Sequence, residues 1–141
     1  MARARYLLDL PVLAELTRPA GNRLVLTRFL QHQQVCAIAA PIAYVLLRGV
    51  ETLPDGARRT QLAGFVHELL RSGPAVAPFD LEAAIWLARE TPRRTRQGRA
   101  WSEVEGQQAA IAAVRELTLV TRSPATYAGA SGVKVEDWFR P

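Results

Sequence analysis

Tyr6-Leu7-Leu8-Asp9-Leu10-Pro11-Val12-Leu13-Ala14-Glu15-Leu16 is the stretch on which the reading of the chain turns. Three aromatic or apolar residues end in one carboxylate. Pro11 follows, and a new apolar pattern starts at Val12. A short buried strand running into a helix has this form. Asp9 then stands at the carboxyl end of the strand, beside the crevice where open parallel α/β sheets bind ligands. Two readings of Asp9 remain open at this level. One is a turn or N-cap aspartate for the following helix; the other is a metal-binding or catalytic carboxylate.

Outward from this stretch, strands and helices alternate. Strands are expected at Arg5–Leu8, Val35–Ala39, Ala75–Pro78 and Leu117–Thr121, with a last edge strand at Val133–Val135. Asn22 suits the cap of a helix running to about Gln33, and Pro41 the first turn of the next. Pro54-Asp55-Gly56 marks a turn. After it, Leu62, Phe65, Val66, Leu69 and Leu70 form one apolar stripe of a helix from Ala57 to about Leu70. Asp80 caps a helix that Thr91-Pro92 ends or kinks. A basic connector then follows, containing Arg93, Arg94, Arg96 and Arg99. Ser102 and Glu105 have capping-box spacing at the start of an alanine-rich helix. The alternation predicts an α/β fold with a central parallel sheet flanked by helices, formed as a single domain over residues 1–141.

Composition narrows the function classes. The chain has 141 residues and a formal net charge of +5, with Lys134 its only lysine. A basic balance favours an anionic partner, nucleic acid first, although arginine-rich composition alone gives the same balance. Cys36 is the only cysteine, so an internal disulfide and a cysteine metal cluster are both excluded. Within Val35-Cys36-Ala37-Ile38-Ala39 it reads as a buried thiol. No apolar run reaches the roughly 20 residues of a membrane span. Asp9 and Pro11 interrupt what would be a signal-peptide core, so a cytoplasmic protein is expected. There is no glycine-rich phosphate loop, no GxSxG elbow and no metal-spaced histidine pair, which argues against nucleotide and serine hydrolases.

Several segments, in order, resemble one family. YLLD at Tyr6–Asp9 followed by VLAELTRP at Val12–Pro19 resembles the opening of VapC-type PIN-domain toxins. LLRGVETLPDGARR at Leu46–Arg59 is similar to the segment after their second strand. AAIAAVRELTLVTR at Ala109–Arg122 and GVKVEDW at Gly132–Trp138 resemble their late helix, fourth strand and last strand. The resemblance implies a PIN-like domain in which four acidic positions converge on Mg²⁺ or Mn²⁺ to cut RNA. It also implies a homodimer and an antitoxin protein as partner. Oxygen ligands from clustered carboxylates are what such ions require.

Carried over position by position, the acid set is uneven. Asp9 matches the first acid. The second falls at Val45, the third at Glu105 with Glu103 two residues before, and the fourth at Thr126. Leu10, Pro11, Ala39 and Ile42 are apolar where the family is polar. The leading expectation is a VapC-like protein with a degraded ribonuclease site and no cofactor, kept as a protein- or RNA-binding module. The alternative is an active Mg²⁺- or Mn²⁺-dependent endoribonuclease using Asp9, Glu103 and Glu105, with Glu15 as a remote fourth acid. Glu103 and Glu105 also suit a helix first turn without any metal, and Glu15 a salt-bridged surface site. Arg93, Arg94, Arg96 and Arg99 have two open readings, phosphate contacts or a solvated connector. Thr121-Arg122 either orients the pocket or is a plain turn.

Overall fold

The computed structural model describes residues 3–141. Five short strands form one sheet: β1 (Tyr6–Leu8), β2 (Cys36–Ala39), β3 (Ala75–Ala77), β4 (Thr118–Val120) and β5 (Lys134–Glu136). Their order is β3-β2-β1-β4-β5, and each neighbouring pair is parallel. Tyr6, Leu7 and Leu8 are all buried, as a central parallel strand covered on both faces requires. The predicted strands are each present, trimmed or shifted by a residue or so. Val35 belongs to a 3₁₀ turn at Gln33–Val35, and Thr121 lies just beyond β4. At the β5 edge the exposed side chains are Lys134 and Glu136, charged residues of the kind that discourage edge pairing.

Six helices cover the sheet: α1 (Leu10–Thr17), α2 (Arg23–His32), α3 (Ala40–Glu51), α4 (Ala57–Ser72), α5 (Leu81–Arg96) and α6 (Glu103–Val114). The chain steps from β1 outward to β2 and β3, then returns to β4 on the other side of β1. The strand order therefore reverses between β1 and β4. Their carboxyl ends, Asp9 and Thr121, flank that reversal. Asp9 N–H donates to the Val120 carbonyl at 2.9 Å, which places the two ends side by side.

Local sequence explains most helix boundaries. Asp9 caps α1, and Pro11 sits in its first turn, where a missing N–H costs no intrahelical bond. The Asn22 side chain accepts from Leu24 and Val25 N–H to start α2. The capping box of α6 is formed as expected. Ser102 Oγ accepts from Glu105 N–H at 3.2 Å, and Glu105 Oε1 accepts from Ser102 N–H at 2.8 Å. Gly106 lies where α6 approaches α5. A Cβ there would come within 2.8 Å of Trp101 Nε1 and 3.0 Å of Leu87 Cδ1. The C-terminal tail is fixed by Trp138, which is buried edge-on against Tyr6 with ring centroids 5.3 Å apart. Cys36 is buried as predicted, and burial pushes its thiol up to about 12.

Helix α5 departs from one of the two readings of Thr91-Pro92, the helix end, and from the basic connector expected after it. It does not stop at Thr91-Pro92 but continues through Pro92 to Arg96, so most of the expected basic connector is helical. The proline removes one backbone donor, and side chains on either side of it hold the helix to the 126–131 loop. Glu90 accepts from Arg93 Nε at 2.7 Å, from Arg93 Nη2 at 2.8 Å and from Ser131 N–H at 2.6 Å. Arg94 is 2% exposed and donates to the Ala128 and Thr126 carbonyls at 3.0 and 2.7 Å. Its guanidinium lies 4.0 Å from the Trp101 ring centre, in cation–π contact.

The Glu90 clamp has a pH signature. The Arg93 guanidinium and the Ser131 N–H hold its carboxyl down from 4.5 to about 2, against the opposing effect of burial. A depressed carboxyl stabilises the fold fully above its unfolded value and loses that contribution as pH falls through the folded one. The wild-type melting temperature should therefore drop between pH 4.5 and about 2. Glu90→Gln should lower the melting temperature at neutral pH and flatten this acid limb, as measured by thermal unfolding across the range.

Candidate functional site

The site is built at the reversal between β1 and β4. Asp9 projects from the end of β1, Thr121 from just beyond β4, and Gln108 from the middle of α6. Tyr127 closes the group from a 3₁₀ turn at Pro124–Tyr127. Gln108 is 1% and Thr121 0% exposed, so the donors they carry must find acceptors within the protein.

Asp9 supplies the acceptors. Its Oδ1 accepts from Leu10 N–H at 2.8 Å and from Gln108 Nε2 at 3.1 Å, and its Oδ2 accepts from Thr121 Oγ1 at 2.9 Å. Thr121 Oγ1 in turn accepts from Ser123 N–H at 3.1 Å, which aims the hydroxyl proton at Asp9. Gln108 Nε2 also donates to the Tyr127 hydroxyl at 3.3 Å. Burial, and next the charge of Asp9, push the Tyr127 phenol well above its ordinary value, so it stays neutral. The bond from Gln108 opposes that shift. Three donors from α1, α6 and the end of β4 thus converge on one carboxylate.

The other anticipated acids lie elsewhere. Glu105 is one helical turn before Gln108, and its Oε1 is engaged in the capping box. It lines a shallow cleft with Arg94, Arg99 and Thr126, so the structure does bring the expected third and fourth positions together. Glu103 is exposed in the first turn of α6, and Val45 is half-buried on α3. Ala39 and Ile42 are core residues, whereas Pro11 is exposed. Glu15 is a buried residue of α1, not a surface one. Its Oε1 accepts from Asn22 N–H at 2.9 Å and its Oε2 from Arg18 Nη1 at 2.9 Å. It fixes the turn between α1 and α2. Among the described residues, no group of three or more His, Cys, Asp or Glu side chains is placed to hold a metal ion.

The four connector arginines separate in the same way. Arg93 pairs with Glu90, Arg94 is buried, and Arg99 Nη1 donates to the Ala128 carbonyl at 2.7 Å. Arg96 is exposed at the last position of α5. Gln108 was not singled out by the sequence reading. A signal for it exists, because Gln108, Ile111 and Ala112 share the 3-1 spacing of the buried face of α6. A polar residue on such a face needs a partner, and Asp9 is that partner.

Thr121→Val tests how much the carboxylate depends on this pairing. It removes the donor to Asp9 Oδ2 and the acceptor for Ser123 N–H at nearly constant volume. It should destabilise the protein by about 1–3 kcal/mol. The denaturant midpoint should fall with an unchanged slope.

No protein-family model matches the sequence, and no curated protein matches it. Solved structures do match. The chain is similar to a structure of FitAB bound to an IR36 DNA fragment, with a TM-score of 0.85 and 23% identity over 96% of each chain. It is similar to FitAcB from Neisseria gonorrhoeae, with a TM-score of 0.80 and 23% identity over 96% of this chain and 99% of that one. It is also similar to VapBC-5 from Mycobacterium tuberculosis, described as a member of a toxin–antitoxin family. There the TM-score is 0.72 and the identity 21%, over 97% of this chain and 99% of that one. At these identities the likeness is one of fold, and the chain has the PIN-like α/β fold of VapC-type toxin–antitoxin structures.

Proposed function

We propose that this chain is a VapC-like PIN-domain protein of toxin–antitoxin type whose metal-dependent ribonuclease site is degraded. What remains is a module that binds a protein partner. The observation carrying this reading is the pairing of Asp9 with Gln108 and Thr121. Mg²⁺ and Mn²⁺ favour carboxylate and water oxygens. Here the side chain facing Asp9 from α6 is an amide that offers N–H, and both carboxylate oxygens already accept from the protein. The residues present do not fit a divalent ion, and no hydrolytic step through one follows from them.

The choice of partner rests on two supports. The similar structures are VapBC and FitAB assemblies, which favours an antitoxin-like protein. Apolar side chains also remain exposed on the helices after β1 and β2. Leu24 and Leu30 lie on α2, and Tyr44 and Leu47 on α3, with Leu30 65% and Tyr44 56% exposed. These faces suit association of two copies through the same helices. RNA is the less favoured partner, because Arg93, Arg94 and Arg99 spend their donors on Glu90 and on loop carbonyls rather than presenting them to phosphate.

Two measurements test the proposal. Incubated with RNA and millimolar Mg²⁺ or Mn²⁺, the protein should produce no cleavage above that of Asp9→Asn. Metal-dependent cutting that Asp9→Asn abolishes would establish the active endoribonuclease instead. In sedimentation at tens of micromolar, an order-of-magnitude concentration for a specific interface, the protein should run as a dimer. Leu30→Glu with Tyr44→Glu should shift it to monomer while leaving the circular dichroism spectrum intact. A wild-type monomer would remove the homodimer from the proposal.

A further inference from the structure

We infer that the side-chain amide of Gln108 takes the place of a cation in the Asp9 pocket. It makes the site a metal-independent brace between the sheet and α6. This inference rests on the degraded-site reading above and goes further by naming the group that neutralises the remaining acid. The geometry fixes the amide orientation. An ionised carboxylate only accepts, so the atom 3.1 Å from Asp9 Oδ1 must be Nε2. The second proton of that nitrogen serves the Tyr127 hydroxyl at 3.3 Å. Gln108 Oε1 then points away from Asp9, buried and with no hydrogen-bond partner. An amide that gives both N–H groups to the site while leaving its own oxygen unpaired is placed for what its nitrogen does.

The electrostatics follow from the same contacts. A carboxylate held between Thr121 and α6 needs a positive group or donors on the α6 side. A cation would supply charge; the amide supplies donor N–H groups and adds no net charge. Glutamate at position 108 would have nearly the same shape and none of the donors. It would set two carboxylates within about 3 Å of each other, and two acids that close share a proton instead of both ionising. A divalent cation would relieve that repulsion, so one substitution should turn the brace into a metal-dependent site.

Thermal unfolding of the full chain with and without millimolar Mn²⁺ tests the inference. The wild type should show the same melting temperature in both. Gln108→Glu should melt lower by about 5–10 °C at neutral pH. It should regain part of that loss on adding Mn²⁺ and part on lowering the pH to about 5. The exchanged variant, Asp9→Asn with Gln108→Glu, again sets one amide against one carboxylate. It should melt above the Gln108→Glu single variant and ignore Mn²⁺. Mn²⁺ stabilisation of the wild type would overturn the inference, as would Gln108→Glu melting like wild type and ignoring the ion. If Gln108→Glu alone does not fold, the exchanged variant decides. Recovery of a folded, Mn²⁺-indifferent protein supports the brace, and failure to recover it overturns the brace. The RNA assay stands apart from this series, since it reads cleavage by the unmodified protein whatever holds Asp9.

Discussion

The carboxylate at the end of β1 is the constraint around which the rest of the fold is arranged. The sheet order reverses between β1 and β4, so their carboxyl ends must meet there. Asp9 fills that corner as a shared acceptor. It begins α1 through Leu10 N–H, ties down the end of β4 through Thr121, and holds the buried face of α6 through Gln108. Each bond reaches a different element, so the corner cannot open at one contact without straining the other two. Gln108 and Thr121 are buried and Asp9 half-buried, so a donor or acceptor freed at this corner is only partly compensated by water.

A second set of contacts makes the first one possible. Tyr127 reaches Gln108 only if the 124–127 turn is held against α5 and α6. Arg93, Arg94 and Arg99 supply that hold by donating to the Thr126, Ala128 and Gly129 carbonyls and to Ser131 Oγ, and Glu90 adds to it by accepting from Ser131 N–H. The loop is rich in carbonyl groups that no strand or helix pairs, and a planar guanidinium can satisfy two at once. Arginine near Pro92 thus serves to carry the helix past a residue that interrupts its own hydrogen bonding. Part of the positive charge that the composition suggests for an anionic partner is consumed inside the fold.

What was legible in the sequence, and what was not, divides along the range of the interactions. The strands were visible because short apolar runs such as Tyr6–Leu8 and Cys36–Ala39 end at turn or cap residues. The caps at Asp9, Asn22 and Ser102 were visible because their partners lie within a few residues. Of the site, Asp9 and Thr121 could be placed by their positions at strand ends. For Gln108 the spacing with Ile111 and Ala112 marks the buried face of α6, but not the partner, since its bond to Asp9 spans 99 residues. The run from Arg93 to Arg99 misled for the same reason. Its composition reads as a solvated connector, while its partners lie about 30 or more residues further on in the loop. Local rules on proline also place a boundary at Thr91 that tertiary contacts override.

Asp9 is present although the positions that the family resemblance pairs with it hold valine and threonine, and this has a physical account. Asp9 has uses that need no ion: it caps α1 and accepts from Thr121 Oγ1. Val45 lies half-buried on α3, and Thr126 sits beside the cleft where Arg94 binds its carbonyl. An acid at position 126 would share its cleft with Glu105, and two carboxylates brought close repel each other. Position 108 is the one where the balance is tightest. Its side chain is enclosed, it faces an ionised partner, and an apolar residue there would leave Asp9 Oδ1 short of a donor. A carboxylate would need an ion or a proton. Glutamine is the neutral side chain of glutamate's length that offers N–H from that point on α6, which is what the proposed metal-independent brace requires.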